Sequence, residues 1–277
     1  MTGTLFPVTL VMGVLNVTPD SFSDGGRWLD HQRAAEHGRR LVTEGADVVD
    51  VGGESTRPGA RPVPEDEERR RILPVVAALA PHVRVSVDTR KASVAEAAVE
   101  AGATIVNDVS ARLGPVAAAA GVGWVAMHLP ADPSVMVEYA RSYHGDVVAD
   151  VTAYLTARAE EACAVGVGEV WIDPGIGFGK TAAHNLSLLR HLDQLVATGW
   201  PVAIGTSRKS FLGPLSVRPG EQPAPPAQRL EASVATAAWA ALQGVSMVRV
   251  HDVAATVQAM RLVRPAVSAT GASGSAA

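Results

Sequence analysis

Apolar residues fall along this chain in eight short runs, and nearly every run ends on a polar side chain. The runs occupy residues 11–16, 48–53, 83–88, 105–108, 124–128, 170–173, 202–205 and 247–251. Near-continuous Val/Ile stretches of this length read as strands buried on both faces, as parallel strands are. The stretches between them have helical periodicity. Ala34, Gly38, Leu41 and Val42 form one stripe, and Leu188, Leu189, Leu192, Leu195 and Val196 form another in the sixth helix. Leu230, Val234, Ala235, Ala238, Ala241 and Leu242 form a third in the seventh. Gly45, Gly102 and Gly244 stand where a helix should stop before the next strand. Eight such alternations predict an α/β fold, a closed (β/α)8 TIM barrel, whose chemistry gathers at the carboxyl ends of the strands. The polar terminators Asn16, Asp88, Asn107, Asp173, Arg249 and His251 should therefore converge on one pocket.

The chain has 277 residues, which suits one barrel of about 250. We expect a single domain over residues 1–265 and a disordered Ala/Ser/Gly-rich tail over 266–277. Two segments that follow strands, 17–30 and 53–64, are longer than linkers require and should lie over the pocket mouth. A proline-rich segment, 214–228, reads as a surface excursion.

Composition narrows the function. Apolar residues make up 47% of the chain, and a net charge of −4 with a pI near 6.1 argues against general nucleic-acid affinity. No apolar run is long enough to span a bilayer, and the first residues lack the charged start of a secretory signal. A soluble cytoplasmic protein is expected. The single cysteine, Cys163, excludes an intrachain disulfide and is expected to pack as a small apolar residue in a helix. Of 24 lysines and arginines only Lys91, Lys180 and Lys209 are lysines. A site needing a compact ammonium cannot use the planar arginine fork, which draws attention to these three.

Arg249 and His251, two apart on the last strand, point to the same side. With Asn16 alongside, and with the loop Ser207-Arg208-Lys209-Ser210, they form a candidate anion site; pairing of Arg249 with a core carboxylate is the alternative. Asp88 and Asp173 are inward carboxylates that need a donor or a cation. They could hold a metal, act as acid and base, or accept hydrogen bonds from a nitrogen-rich ring. The segment from Asp173 to Thr181 (Asp-Pro-Gly-Ile-Gly-Phe-Gly-Lys-Thr) ends like a phosphate-binding loop, but Pro174 stands where that pattern requires glycine. An ATPase reading is rejected; the glycines instead let the backbone approach a flat ligand beneath Phe178. No cysteine cluster or His-x-His supports zinc. A magnesium ion held weakly by Asn16 and mainly by a substrate diphosphate fits that ion's preference for few protein ligands.

Seven segments taken together resemble the dihydropteroate synthase family. They are residues 12–26 (Met-Gly-Val-Leu-Asn-Val-Thr-Pro-Asp-Ser-Phe-Ser-Asp-Gly-Gly), 52–59 (Gly-Gly-Glu-Ser-Thr-Arg-Pro-Gly), 87–89 (Val-Asp-Thr), 107–110 (Asn-Asp-Val-Ser), 173–181, 207–213 (Ser-Arg-Lys-Ser-Phe-Leu-Gly) and 249–252 (Arg-Val-His-Asp). The resemblance implies an enzyme that joins 6-hydroxymethyl-7,8-dihydropterin diphosphate to 4-aminobenzoate, giving 7,8-dihydropteroate and pyrophosphate in folate synthesis. It implies a pterin slot lined by Asp88, Asn107, Met127, Asp173, Phe178, Gly205 and Lys209. It places the diphosphate on Asn16, Arg249 and His251, with Mg2+ on Asn16, and the aminobenzoate beside Thr56, Arg57 and Ser210. Asp88, Lys209, Asn16, Arg249 and His251 would carry the catalysis. It further implies a homodimer built through the later helices, with small molecules as the other partners and neither nucleic acid nor membrane.

Residue chemistry agrees with that assignment. Asp173 can accept two N–H bonds from the amidine edge of a pterin, and Lys209 can donate to its carbonyl. Asp88 could stabilise positive charge on the pterin methylene once diphosphate departs, while Arg249, His251 and Mg2+ stabilise the leaving group. The chain departs from the family in having Ala111, Ala131 and Ala232 where glycine is usual and Leu129 where methionine is usual. Two rivals are a non-catalytic pterin-binding paralogue and a pterin-dependent methyltransferase barrel serving a corrinoid protein. The second would not need Thr56-Arg57 or the 207–210 loop.

Overall fold

The computed structural model describes residues 9–18, 27–55, 62–129, 143 and 145–263. In order these form β1 (Leu10–Asn16), α1 (Arg27–Thr43), β2 (Val48–Gly52), α2 (Glu65–Leu79), β3 (Arg84–Asp88), α3 (Ala92–Glu100), β4 (Ile105–Asp108), α4 (Gly114–Ala120), β5 (Gly123–Met127), α5 (Val147–Ala164), β6 (Val170–Asp173), α6 (Ala182–Arg190), α7 (Leu192–Val196), β7 (Ala203–Ile204), α8 (Leu212–Leu215), α9 (Leu230–Leu242), β8 (Met247–Val250) and α10 (Val253–Val263). All strand pairs are parallel, in the order β6-β5-β4-β3-β2-β1-β8-β7. A bridge between Ile172 and Val202 joins the two ends, so the sheet is a nearly closed barrel with β1 beside β8, as expected.

Alternation along the strands divides the core in two. Val11, Val49, Val85, Val106, Ile172, Ile204 and Val248 face outward and join the large core beneath the helices. Met12, Val48, Ile105, Val125, Trp171, Ala203 and Met247 pack with one another as a separate cluster, the floor of the barrel. Two residues further along the same strands the same face carries Val14, Asp50, Asn107, Met127, Asp173, Gly205 and Arg249. The inner wall thus changes from mostly apolar, with Arg84 and Ser86 of β3 as polar exceptions beside Val48 and Ile105, to largely polar within one step of the pleat.

The three glycines expected to end helices do so, with φ of 103° at Gly45, 110° at Gly102 and 89° at Gly244. The stripe on α1 faces inward as expected, with Ala34, Gly38 and Leu41 buried. Four expectations are corrected. First, α1 begins at Arg27, inside the segment read as a long loop over 17–30. Second, the sixth helix is two: its apolar stripe is buried through Leu195, but the backbone leaves the helix at His191 (φ −114°, ψ 32°) while its ring Nδ1 lies 2.8 Å from Ser187 O. Third, α9 buries Ser233, Ala237 and Ala240, leaving Leu230 and Leu242 exposed together with Trp239. Small residues let this helix approach β8, and the large ones turn outward. Fourth, Cys163 is exposed, and its neighbour Ala162 takes the buried position on α5. The 214–228 segment lies on the surface, anchored through buried Ala224, whose N–H donates to Gly213 O at 3.1 Å. Residues 19–26 and 56–61 of the two mouth loops, and the expected tail over 266–277, lie outside the described residues.

Candidate active site

One half of the rim is an ionic cluster built from β2, β3, β4 and β8. Arg249 Nε donates to Asp50 Oδ2 at 2.6 Å and its Nη2 to Asp88 Oδ2 at 2.7 Å. Asn107 Nδ2 donates to the same Asp50 oxygen at 3.1 Å. A carboxylate oxygen only accepts, so this bond fixes the Asn107 amide and leaves its carbonyl oxygen as the free acceptor. Asp50 Oδ1 and Asp88 Oδ1 are buried and have no hydrogen-bond partner among the described residues. A buried carboxylate oxygen left unpaired is expensive, and marks a position where a ligand donor would be welcome. Burial pushes the Asp88 carboxyl up to about 7, against the pull of Arg249 and helped by the neighbouring Asp50 charge. Burial opposes the charge of Arg249, but Asp50 and Asp88 outweigh it and raise its pKa. The carboxylate pairing left open in the sequence is therefore made, through a second acid, Asp50, that the sequence reading did not single out. The signal was present: an aspartate inside a Val-Val-Asp-Val strand buried on both faces must have a cationic partner.

The opposite half is built from the ends of β5, β6 and β7. Asp173, opposite Met127 in the register, accepts the Gly175 N–H at Oδ1 (2.7 Å). Lys209 donates through Nζ to Ile176 O and lies 4.6 Å over the centroid of the Phe178 ring, a cation–π contact. Burial lowers Lys209 to about 8, and the Asp173 charge resists that fall. Burial raises Asp173, with Lys209 and the Gly175 N–H holding it back. Gly205 packs against Arg249, where an added Cβ would stand 3.6 Å from the arginine Cβ. Asp88, Asp173, Lys209 and Arg249 influence one another's ionisation, so these four, with Asn107 bound to Asp50, meet at one rim, while Asn16 and His251 of the expected set line a cavity toward α1.

Beyond the rim, the His251 N–H and ring Nδ1 each lie 3.1 Å from Ser207 Oγ. Arg208 pairs with Asp252 through Nε–Oδ2 at 3.0 Å and Nη2–Oδ1 at 2.5 Å. Asn16, His251, Arg208 and Asp252 share the wall of a cavity of about 650 Å3 with His37 and Arg40 of α1. Ser210 is exposed beside Lys209. Thr56 and Arg57 lie outside the described residues. Among the described residues no group of three His, Cys, Asp or Glu side chains could hold a metal. The Asn16 carboxamide is a single neutral oxygen donor. That suits magnesium only where phosphate oxygens and water complete its shell.

The other two lysines hold loops. Lys91 Nζ donates to Glu54 Oε2 (2.6 Å), Val63 O (2.7 Å) and Glu68 Oε2 (2.5 Å), and Thr89 Oγ1 donates to Glu68 Oε1 at 2.8 Å. Burial opposes the Lys91 charge, but the two glutamates raise its pKa. Lys180 is buried with its Nζ 3.0 Å from His128 Nδ1, 3.1 Å from both Gly175 O and Phe178 O, and 3.4 Å from His128 O. The phosphate-loop likeness of this segment is thus explained without phosphate: the lysine turns inward to bind its own loop. Asp108 organises the turn after β4, accepting from Ser110 N and Oγ, Arg112 N, Leu113 N and Trp124 Nε1.

Residues 12–251 match the family model described as pterin binding enzyme. The chain is 50% identical over 261 residues to the dihydropteroate synthase of Mycobacterium leprae, covering 91% of this chain and 92% of that one. It superposes with a TM-score of 0.83 on Xanthomonas albilineans dihydropteroate synthase solved with 4-aminobenzoic acid, at 46% identity over 92% of this chain and 91% of that one. The same bacterium's enzyme in complex with 7,8-dihydropteroate superposes with a TM-score of 0.80 at 43% identity, covering 94% of this chain and 93% of that one.

Proposed function

The chain belongs to the pterin-binding enzyme family, and from that premise we propose how its rim performs the work of a dihydropteroate synthase. The reaction joins 6-hydroxymethyl-7,8-dihydropterin diphosphate to 4-aminobenzoate. The bond between the pterin methylene and the diphosphate oxygen breaks, its electron pair leaving with pyrophosphate. The arylamine lone pair forms the new C–N bond, and the amine then loses a proton. Asp173, with one oxygen held by Gly175 N–H, offers the other to the pterin amidine edge. Lys209 donates to the pterin carbonyl, and the Asn107 carbonyl oxygen, freed by the Asp50 bond, accepts a further ring N–H. Met127 and Phe178 flank the ring, and Gly205 leaves room over Arg249.

Asp88 is placed to stabilise the methylene cation, its unpartnered Oδ1 being the available charge. Arg249, His251 and Asn16 receive the diphosphate. Magnesium on Asn16, when bound, would neutralise charge on the leaving group. Arg249 changes partners only in part, since Asp50 keeps Nε while the diphosphate competes with Asp88 for the fork. Exposed Ser210 borders the aminobenzoate, and the family resemblance assigns Thr56 and Arg57, outside the described residues, to the same substrate. The arylamine needs no strong base, because its electrophile is a cation.

The observation that carries this reading is the unsatisfied Asp88 oxygen, beside Asn107 in the register and on a rim where Asp88 and Asp173 both act on the charge of Lys209. Mixing the purified chain with both substrates and Mg2+ tests it: dihydropteroate and pyrophosphate should appear together. Absence of product at micromolar enzyme would end it, and pterin binding without turnover would establish the paralogue reading. Among the described residues no helix is long and apolar enough to cross a membrane, and the setting we infer is the cytoplasm. A homodimer through the outward face of α9, where Leu230, Trp239 and Leu242 are 39%, 45% and 58% exposed, would cover that apolar surface. Light scattering showing a monomer at micromolar concentration would refute it.

A further inference from the structure

The loop between β6 and α6 delivers almost every polar element of the pterin half of the rim. Gly175 gives its N–H to Asp173, Ile176 its carbonyl to Lys209, and Phe178 its ring to the Lys209 ammonium. Gly177 N–H is tied back to Asn185 Oδ1 at 2.7 Å. Few contacts of the loop itself would hold this shape, because glycines at 175, 177 and 179 all adopt left-handed φ and restrict the backbone least. The buried ammonium of Lys180 supplies the missing constraint. It binds the carbonyls of Gly175 and Phe178 on either side of the turn and, across the gap, His128 at the end of β5. Gly175 sits so close to that strand end that an added Cβ would be 2.1 Å from His128 O.

Resting on the reading of this half of the rim as the pterin slot, we propose that Lys180 is a positioning residue for pterin recognition. Its ammonium fastens the 173–180 loop to β5 and thereby sets the places of Asp173, Lys209 and Phe178. The ammonium has three donors and only neutral acceptors around it, with no carboxylate in hydrogen-bond reach. Burial lowers Lys180 to about 7, with the Asp173 charge resisting that fall; below that pH the ammonium cannot accept, so His128 Nδ1 must, which places the histidine proton on Nε2. Burial and the adjacent ammonium hold His128 down at about 3, so it stays neutral and keeps that lone pair. Nothing here requires lysine to touch substrate. The role is mechanical, and a small cation in the same cage could perform it.

That last point gives the experiment. Lys180→Ala leaves a pocket lined by carbonyl oxygens and an imidazole nitrogen, into which ammonium or methylammonium can enter. In the full-length chain with Mg2+, KM for the pterin diphosphate should rise by about tenfold or more, the loss of one charge-assisted hydrogen bond. KM for aminobenzoate should stay where it is. Ammonium or methylammonium chloride, but not sodium chloride at equal ionic strength, should restore the pterin KM. Lys180→Met, which refills the volume without charge, should show the same defect and no rescue. A folded K180A with an unchanged pterin KM overturns the proposal, as does a raised KM that ammonium leaves untouched. Loss of the fold in both variants overturns it too, assigning the lysine a structural role alone. A wild-type chain that makes dihydropteroate in the same buffer keeps the functional reading intact whichever way the variants behave; one that makes none removes the premise.

Discussion

The floor and the rim of the barrel differ by two residues on each strand and by almost everything else. At the floor, Ile105, Val125, Trp171 and Met247 fill space, and charge reaches them from the side, where the Arg84 guanidinium lies 5.8 Å over the Trp171 ring. One pleat further, Asn107, Asp173 and Arg249 on the same strands are charged or amide groups, with carboxylate oxygens at Asp50 and Asp88 left without partners. The floor is organised for the folded state and the rim against it, since buried, unsatisfied acids raise the free energy that the floor lowers. The lesson is that these strands carry stability and chemistry in series, and that a substitution should affect one or the other according to its height in the barrel.

The sharpest separation comes from paired variants on β6 and β4. Asp173→Ala should lower kcat/KM by about a thousandfold, the order expected from losing two hydrogen bonds to a charged acceptor, while the melting temperature holds or rises. Steady-state kinetics beside calorimetry would show it, and a variant that unfolds instead would break the division. Ile105→Ala, two residues below Asn107, should do the reverse. Its loss of about 2–5 kcal/mol in denaturant unfolding is the usual result of emptying a packed aliphatic site, with KM for both substrates unchanged in the fraction that remains folded.

A gentler probe is pH, because the groups whose ionisation burial shifts toward neutrality gather at the rim and in the loop that carries it, where Lys180 too is lowered to about 7. An acid with a raised pKa regains its proton early: Asp88, held near 7, loses its negative charge as the pH falls through that value. A lysine with a lowered pKa surrenders its proton early: Lys209 stops being a cationic donor as the pH rises through about 8. The kcat/KM profile should be a narrow bell with its shoulders near those two values. Asp88→Asn should abolish the acid limb together with most of the rate. A flat wild-type profile between about pH 6 and 9 would detach both groups from the chemistry.

Much of this was readable from the sequence, for a physical reason. Strands buried on both faces announce themselves as Val/Ile runs, and a polar residue closing such a run has little choice but to face the rim. Asp88, Asn107, Asp173 and Arg249 were therefore found from their own neighbourhoods. Asp50 was not, because it lies inside its run and its partner Arg249 is 199 residues away. The roles of Lys91 and Lys180 were hidden similarly, since each depends on carbonyls and carboxylates contributed by other loops. The phase of α9 failed for want of contrast: a helix with alanines at 232, 235, 237, 238, 240 and 241 offers no clear stripe, and close approach to the sheet rather than hydrophobicity decided which face went in. Cys163 was misplaced by the same logic, its burial being a matter of one helical step.

The smallest effect is expected where the rim is shaped by backbone alone. Ala111, which stands where the resembling family usually has glycine, is buried and left-handed at φ 52°. That conformation costs an L-residue about 1–2 kcal/mol. Alanine recovers part of this by restricting the unfolded chain, about 0.4–1 kcal/mol, and part by burying a methyl, about 0.8 kcal/mol. The terms nearly cancel, so Ala111→Gly should move stability by less than about 1 kcal/mol. The turn should survive either way, because Asp108 holds it through the Ser110, Arg112 and Leu113 amides and through the residue 111 N–H, which glycine keeps. Asn107, just upstream, should keep its bond to Asp50, and the pterin KM should not change. Chemical denaturation and kinetics on this one variant decide the matter. A loss above about 2 kcal/mol would mean that the methyl packs better than its neighbours suggest, and a shifted pterin KM would mean that the turn transmits its shape to the slot after all.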